Sequence, residues 1–276
     1  MASSSSDSGN DSFTYYRSTA SRAYRKKMQW KSNLFQFRSF ITSVGPSDSH
    51  IERLSKTPFS WVLDIPESPN IRGFAQNMFY NWDCEAKCFI FQDVQLSFTK
   101  SDISLILGLP DYGDVVPMHV DAAFSQLYLQ HFQDSHCSKN DLEKKLIQIR
   151  RETNPASVIL FCKFFILYFF VCVFFTTTSS IYKLPALSLI DCVDDLDNLG
   201  KFNWCEALYN YMEPQMEAIG MVLSLRSKPQ CLEPTKKPML KGFARLLAVW
   251  MSEHIPIERP HNPYVIPRIC RWKWRV

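Results

Sequence analysis

An unbroken apolar run from Val158 to Phe175 limits the possible folds of this chain more than any other stretch. Its sequence is VILFCKFFILYFFVCVFF, in which Lys163 is the one residue that is not apolar, aromatic or cysteine. As a helix it would be about 27 Å long, close to the thickness of a bilayer's hydrocarbon core. A helix that is apolar on every face is either a membrane span or the central helix of a large core. Because membrane spans seldom carry an internal charge, Lys163 favours a buried central helix; a single membrane span and a pair of buried strands are the alternatives.

Helix-start signals and apolar residues at helical spacing predict further helices on both sides of this run. Asn154-Pro155 marks the start of the central helix, since proline is tolerated in the first helical turn. Four polar pairs have the spacing of a helix cap: Ser49 and Glu52, Thr99 and Asp102, Asn140 and Glu143, and Asn203 and Glu206. Apolar faces that need covering lie around Ile71, Ile103, Leu142, Trp204 and Phe243, so we expect those helices to surround the run. The stem of Lys163 would then bring its ammonium group out toward an acidic side chain.

One stretch has the pattern of β-structure. Cys88–Phe91 is a short apolar run, and Val94, Leu96 and Phe98 then alternate with polar residues. Gln92-Asp93 between them predicts a small hairpin. A helix from Ile71 to Trp82 is predicted to precede it. The predicted fold class is therefore mainly α, a helical domain around a buried apolar central helix, with one small β-hairpin.

Composition divides the chain into three parts. Residues 1–27 form a leader that is Ser-rich and then basic, and we expect it to be disordered. Its Arg25-Lys26-Lys27 is also compatible with part of a nuclear signal, and the whole leader with an organellar transit peptide. Residues 28–260 are expected to form the helical domain, and residues 261–276 a basic aromatic tail.

Charge and composition argue against several functional classes. The net charge of +4 is too small to indicate a nucleic-acid binder by itself, and 8 Gly are too few for a glycine-rich phosphate cradle. The 9 Cys are an odd number, and several lie in apolar surroundings. They indicate reduced, buried thiols in an intracellular protein.

Two polar clusters contain residue types that bind metal ions. Cys84, Cys88, His131, His136 and Cys137 offer zinc-binding atoms, but the adjacent pair His136-Cys137 does not fit the usual ligand spacing. The acidic cluster from Asp191 to Asp197 lacks the glycine and glutamate of a calcium loop, so we interpret it as a solvated turn. No histidine lies in a recognisable nucleophile motif. We therefore predict no catalytic, cofactor-binding or metal-binding residues.

The tail interleaves cations with aromatic rings. The residues are Arg271, Trp272, Lys273, Trp274 and Arg275. This pattern suits stacking on single-stranded nucleic acid, and it is also the pattern of an exposed stub of an interrupted core segment. Nucleic-acid contact through these five residues is a candidate that the sequence does not favour.

Four segments, called the motif segments below, carry a family resemblance. They are Leu96–Val116 with LGLP-x-x-G, Leu184–Met212 with LP-x-L and D-L-D, Gly242–Pro260 with LL-x-x-W-x-x-E, and Pro267–Trp272. Together they resemble the plant mobile domain, a transposon-associated plant family often labelled "aminotransferase-like". Order and spacing agree across residues 50–272. The alternative is a neighbouring family, the uncharacterised domain found upstream of Ulp1-type proteases in plant transposons.

The resemblance singles out residues that match the family's motifs. They are Leu107, Gly108, Leu109, Pro110, Gly113, Asp195, Leu196, Asp197, Trp204, Trp250, Glu253, Arg259 and Pro260. Two features depart from the family: Cys205 stands where it usually has Gly, and Cys192-Val193 lengthens the acidic segment. Because the family pattern continues beyond the last motif segment, we expect the chain to stop inside its domain, as a truncated gene copy would.

The resemblance implies a non-catalytic domain of a nuclear protein with unknown protein partners. Relatives are linked to transposons and, in some plant proteins, to silencing and meristem maintenance. No catalytic residue is carried over, so the resemblance implies no enzyme. The alternatives are a membrane-anchored protein that spans once at Val158–Phe175 and an enzyme whose site residues are too dispersed to recognise.

Overall fold

A computed structural model describes residues 29–31, 33–66, 78–118, 124–132, 137–176, 186–226, 239–255 and 259–273. The helices in these ranges are α1 (Leu34–Val44), α2 (Asp48–Ser55), α3 (Lys100–Leu107), α4 (Gln126–His131), α5 (Lys139–Ile149), α6 (Pro155–Phe169), α7 (Ala186–Val193), α8 (Trp204–Arg226) and α9 (Ala244–His254). The strands are β1 (Gln29–Lys31), β2 (Trp82–Asp83), β3 (Cys88–Phe91), β4 (Val94–Leu96) and β5 (Met239–Lys241). Short 3-10 turns lie at Ser60–Asp64, Leu196–Lys201 and Arg268–Cys270. The prediction of a mainly α fold is confirmed.

The apolar run forms the central helix of the core. Asn154 caps α6 by accepting a hydrogen bond from the backbone N–H of Ser157 at 2.9 Å, and Pro155 occupies the first turn as predicted. The helix continues as a π-helical turn over Phe170–Phe174. Pro155–Phe174 is long and apolar enough to cross a membrane, with a mean hydropathy of 2.5, but 72% of that window is buried inside the protein. The prediction of a buried central helix is confirmed.

Helices and rings from both halves of the chain cover α6. Helices α2, α5 and α7 pack along it, and α1 packs against the π-helical turn. The Phe243 ring lies 5.6 Å from that of Phe174, measured between centroids, and the Trp204 ring lies 4.5 Å from that of Phe170. The expected covering by the segments around Leu142, Trp204 and Phe243 is therefore confirmed. The helix around Ile103, α3, instead packs against α8 and α9, and Ile71 lies outside the described residues.

The ammonium group of Lys163 forms an ion pair at the edge of the core. Its Nζ atom lies 2.7 Å from Oδ1 of Asp194, and the two side chains are 17% and 25% exposed. The apolar stem runs along the core while the charge reaches a carboxylate near the surface. The expectation that Lys163 points toward an acidic side chain is confirmed.

The predicted hairpin is present and is part of a three-stranded antiparallel sheet. Strands β3 and β4 pair Phe89 with Leu96, and the turn residues Gln92 and Asp93 have φ of 48° and 67°. Both angles are those of a type I′ turn, which matches the twist of the flanking strands. Strand β2 adds to β3 by pairing Trp82 with Phe89.

Two features near the strands differ from the prediction. The helix predicted to reach Trp82 is helical only at Met78 and Phe79 among its described residues, because Trp82 pairs in the sheet. Residues 71–77 of that helix lie outside the described ranges. The sequence also gave no sign of the parallel pairing between β1 and β5, which places Trp30 opposite Leu240.

For two of the four predicted capping pairs, the helix is capped two residues earlier in the chain than predicted. Helix α2 is capped by Ser47 with His50, and α5 by Ser138 with Asp141. In each case a serine two residues before the predicted cap starts the helix. The predictions for Thr99 with Asp102 and for Asn203 with Glu206 are confirmed, and Gly108 ends α3 with a φ of 67°.

Candidate functional site

Backbone and side-chain hydrogen bonds join the first two motif segments. The Asp114 N–H donates to the Lys201 carbonyl at 2.7 Å, and the Asn203 N–H donates to the Asp114 carbonyl at 2.8 Å. The Asn203 side-chain amide also donates to the Asp111 carbonyl at 2.8 Å. These bonds fix the loop after α3 against the start of α8.

Two glycines of the first motif segment sit where a side chain would not fit or would be strained. Gly113 has a φ of 128°, and a Cβ there would lie 2.2 Å from the Lys201 carbonyl oxygen. Gly108 has a φ of 67°, and a Cβ there would lie 3.3 Å from Cβ of Pro267. Only glycine adopts such angles at low cost. Gly108 therefore brings the first motif segment against the fourth.

The acidic cluster is a structural junction and not merely a solvated turn. Asp191 accepts hydrogen bonds from the backbone N–H groups of Phe124 and Ser125, both at 3.1 Å, and so holds the start of α4. Asp195 accepts from the N–H groups of Asp197 and Asn198, and the Asn198 side chain is the main cause that lowers its pKa. Asp197 pairs with Arg53 at 2.8 Å, and Asp194 with Lys163 as described above. Asp191, Asp195 and Asp197 are exposed, as expected of a solvated turn, and Asp191, Asp194 and Asp197 in addition bind groups that are distant in sequence.

The apolar motif residues belong to the core. Leu107, Leu109, Leu196, Trp204 and Trp250 are each at most 2% exposed. The Trp250 ring lies 5.5 Å from the rings of both Phe89 and Phe98, so it joins α9 to the hairpin sheet. Pro110 is half-buried at the start of the loop.

The third and fourth motif segments form a cleft of about 390 Å³, called the basic cleft below. It is lined by Ser252, Glu253, Arg259, Pro260, Arg268, Arg271 and Trp272. Glu253, Arg259 and Pro260 are thus motif residues that the structure brings together. The sequence gives no sign of Ser252 as a site residue, whereas Arg268 belongs to the basic stretch of the tail.

Two of the three arginines in the basic cleft are held in place. Arg268 Nη1 lies 3.0 Å from Glu253 Oε2, and Arg271 Nε donates to the Val265 carbonyl at 2.7 Å. Arg259 is exposed and makes no ion pair within the described ranges. Three arginines and one glutamate line the basic cleft, so it is electropositive.

The tail is not the exposed stub that its composition suggested. Trp272 is only 4% exposed and belongs to the same core as Ile269 and Cys270, and its backbone carbonyl accepts a hydrogen bond from Arg245. A buried ring is not available to stack on a base. Arg271 lines the basic cleft and Lys273 is exposed, while Trp274 and Arg275 lie outside the described residues.

The cysteines occur mainly as buried thiols. Burial raises the pKa of Cys137, Cys162, Cys172 and Cys205 to about 12, so these thiols are protonated at neutral pH. Cys84 is exposed in the turn before β3, and His136 lies outside the described ranges. In the part of the chain that the structure describes, no three His, Cys, Asp or Glu side chains are grouped to hold a metal ion.

A family model described as a domain of unknown function, DUF8566, matches residues 31–233. The chain belongs to the DUF8566 family. The DUF8566 match includes the central helix and the first two motif segments, and the other two segments follow it. No curated protein and no solved structure matches the chain. The resemblance to the plant mobile domain stays a prediction.

Proposed function

We propose that this chain is a non-catalytic nuclear protein-interaction module of transposon-derived type. The resemblance described above suggests the nuclear setting and the link to silencing or meristem maintenance. The observation that carries the proposal is the loop Leu109–Val116, which the fold holds rigidly while it exposes apolar side chains.

The loop's backbone is fixed at several points. The Ser104 hydroxyl donates to the Leu109 carbonyl at 2.6 Å, in addition to the bonds that tie Asp111 and Asp114 to the start of α8. Tyr112 and Val115 are nevertheless 75% and 85% exposed. A fixed loop that exposes apolar groups is typical of a surface that binds another protein, because little ordering entropy is lost on binding.

The stretch between the third and fourth motif segments adds to this surface. Tyr264 and Ile266 are 89% and 80% exposed. They precede Pro267, against which Gly108 packs at the base of the first loop. Two segments that meet inside the protein therefore both carry exposed apolar side chains.

The alternatives have less support. A membrane anchor would need α6 free to leave the domain, whereas the helix is enclosed by α2, α5 and α7. An enzyme with a nucleophilic cysteine would need an accessible thiol, whereas the thiols with clearly raised pKa values, such as Cys172, are buried in the core. Both observations favour a binding module.

The test is affinity purification from plant nuclear extract with quantitative mass spectrometry. The double variant Tyr112→Ser/Val115→Ser should lose partners that the wild-type chain captures. Phe35→Ser, which removes a side chain that is 78% exposed on α1, is the matched control and should keep them. Each partner is then tested with purified components. If the loop variant captures the same partners with the same affinity, the loop is not the interaction surface.

A further inference from the structure

The basic cleft has features of a site for a small, doubly charged anion. We propose that it binds a phosphate monoester on a partner protein, namely a phosphoserine or phosphothreonine side chain. This inference deepens the proposed function and rests on it, since the phosphate is carried by the partner of the interaction module.

The donors are held in place before any ligand binds. Arg268 uses one guanidinium N–H on Glu253, and Arg271 uses one on the Val265 carbonyl. A guanidinium group carries five N–H donors, so each arginine keeps others for a ligand. Guanidinium groups bind phosphate oxygens in paired geometry, and fixing them beforehand reduces the entropy lost on binding.

The hydroxyl of Ser252 is a second, independent indication of a ligand. Ser252 lines the basic cleft and is only 5% exposed. Its Oγ atom has no hydrogen-bond partner among the residues that the structure describes. Buried polar groups are almost always paired, so the unpaired hydroxyl at the wall of the basic cleft is a further hydrogen-bonding group for an oxygen-bearing ligand.

The charges in the basic cleft match a phosphate monoester. Arg259, Arg268 and Arg271 contribute three positive charges and Glu253 one negative charge, which leaves a net charge of two. A phosphoserine or phosphothreonine carries about −1.5 to −2 at neutral pH, whereas a carboxylate carries one negative charge. The phosphate therefore compensates the cleft more completely than an acidic side chain would.

A protein carrier is favoured over nucleic acid for two reasons. Trp272, the aromatic ring at the basic cleft, is buried and cannot stack on bases. Tyr264 and Ile266, on the segment that leads to Arg268, instead offer apolar contacts to the residues beside a phosphorylated side chain.

The test uses the purified full chain and three fluorescent peptide pools with random flanking residues. One pool has a fixed phosphoserine, one a serine and one a glutamate, and binding is measured by fluorescence polarisation. We expect the phosphoserine pool to bind at least about tenfold more tightly than the other two, and phenyl phosphate to compete. A fluorescent oligothymidylate is measured in parallel. Equal binding of the three pools, or tighter binding of the oligonucleotide, would overturn the proposal.

Two variants locate the binding in the basic cleft. Arg259→Ala removes an exposed side chain and should weaken phosphopeptide binding about tenfold, because one charge-assisted contact is lost. Lys144→Ala removes the same charge from α5, where the side chain is 80% exposed, and should change binding less than about twofold. Ser252→Ala should weaken binding without loss of thermal stability. Unchanged affinity of Arg259→Ala would place the phosphate elsewhere and overturn the assignment.

The outcomes separate this inference from the proposed function. A nuclear partner that still binds after phosphatase treatment, and binds Arg259→Ala equally well, supports the interaction module and refutes the phosphate site. Phosphopeptide binding by the purified chain without any nuclear partner supports the site and refutes the proposed function.

Discussion

Trp204 offers the sharpest test of how the core is built. Its side chain is fully buried, its ring lies 5.7 Å from that of Phe59 and 4.5 Å from that of Phe170, and its indole N–H donates to the Leu199 carbonyl at 2.8 Å. It therefore joins α8 to the π-helical end of the central helix and to the 3-10 turn before α8.

The expected cost of Trp204→Ala follows from these contacts. Loss of a buried tryptophan side chain costs roughly 3–5 kcal/mol. The Leu199 carbonyl also loses its donor, which adds about 1 kcal/mol. Since single domains are stable by only about 5–15 kcal/mol, this variant should be marginally folded or unfolded. Trp204→Phe keeps a ring and should lose about 1–3 kcal/mol, so it carries the test if the alanine variant does not fold.

Urea denaturation followed by far-ultraviolet circular dichroism measures these differences without depending on tryptophan fluorescence. Tyr264→Ala is the control, because that side chain is 89% exposed and should change stability by less than about 0.5 kcal/mol. The order of midpoints should be wild type and Tyr264→Ala, then Trp204→Phe, then Trp204→Ala. A Trp204→Ala midpoint equal to that of the control would show that Trp204 is peripheral and refute the packing described here.

Two further predictions concern charge. Lys163→Met and Asp194→Asn should each lower the free energy of unfolding by about 1–3 kcal/mol, because each variant leaves a partly buried charge unpaired. In a double-mutant cycle, the double variant should lose less than the sum of the two single losses, whereas strict additivity would show that the pair does not couple. Burial lowers the pKa of His50 from its ordinary value of 6.5. Below pH 6.5 the histidine is therefore protonated in the unfolded chain while it stays neutral in the folded chain. The free energy of unfolding should then fall by up to about 1.4 kcal/mol per pH unit as the pH drops. His50→Gln keeps the capping geometry with Ser47 and should reduce the pH dependence of stability in thermal melts, whereas His261→Gln, in an exposed loop, should leave it unchanged. An equal pH dependence in the two variants would show that His50 is not its source.

The central helix could be predicted because its pattern has few physical solutions. A run that is apolar on all faces must be enclosed, and the lone Lys163 then has to reach a partner such as Asp194. The position of the helix starts was harder to predict, because Ser47 and Ser49, or Ser138 and Asn140, are both good caps two residues apart. Which one starts the helix depends on tertiary packing, which the local sequence does not contain.

The basic cleft could not be predicted because its residues converge only in the folded chain. Ser252 and Glu253 come from the end of α9, and Arg259 from the segment after it. Arg268 begins the last 3-10 turn, and Arg271 follows that turn directly. Composition suggested an exposed basic aromatic tail, whereas the 3-10 turn directs Ile269 and Trp272 inward and leaves the arginines at the surface. The resemblance marked Glu253 and Arg259 but gave no indication that they share a cleft.

Hydrogen–deuterium exchange of the purified chain in buffer without detergent tests the central claim most directly. That claim is that the apolar run is the enclosed centre of the folded domain and positions the motif segments around it. We predict that the backbone amides of Val158–Phe174 exchange slowest in the chain, with opening free energies equal to that of global unfolding. Exchange of this segment within minutes, or a chain that stays dispersed only in detergent, would contradict the account.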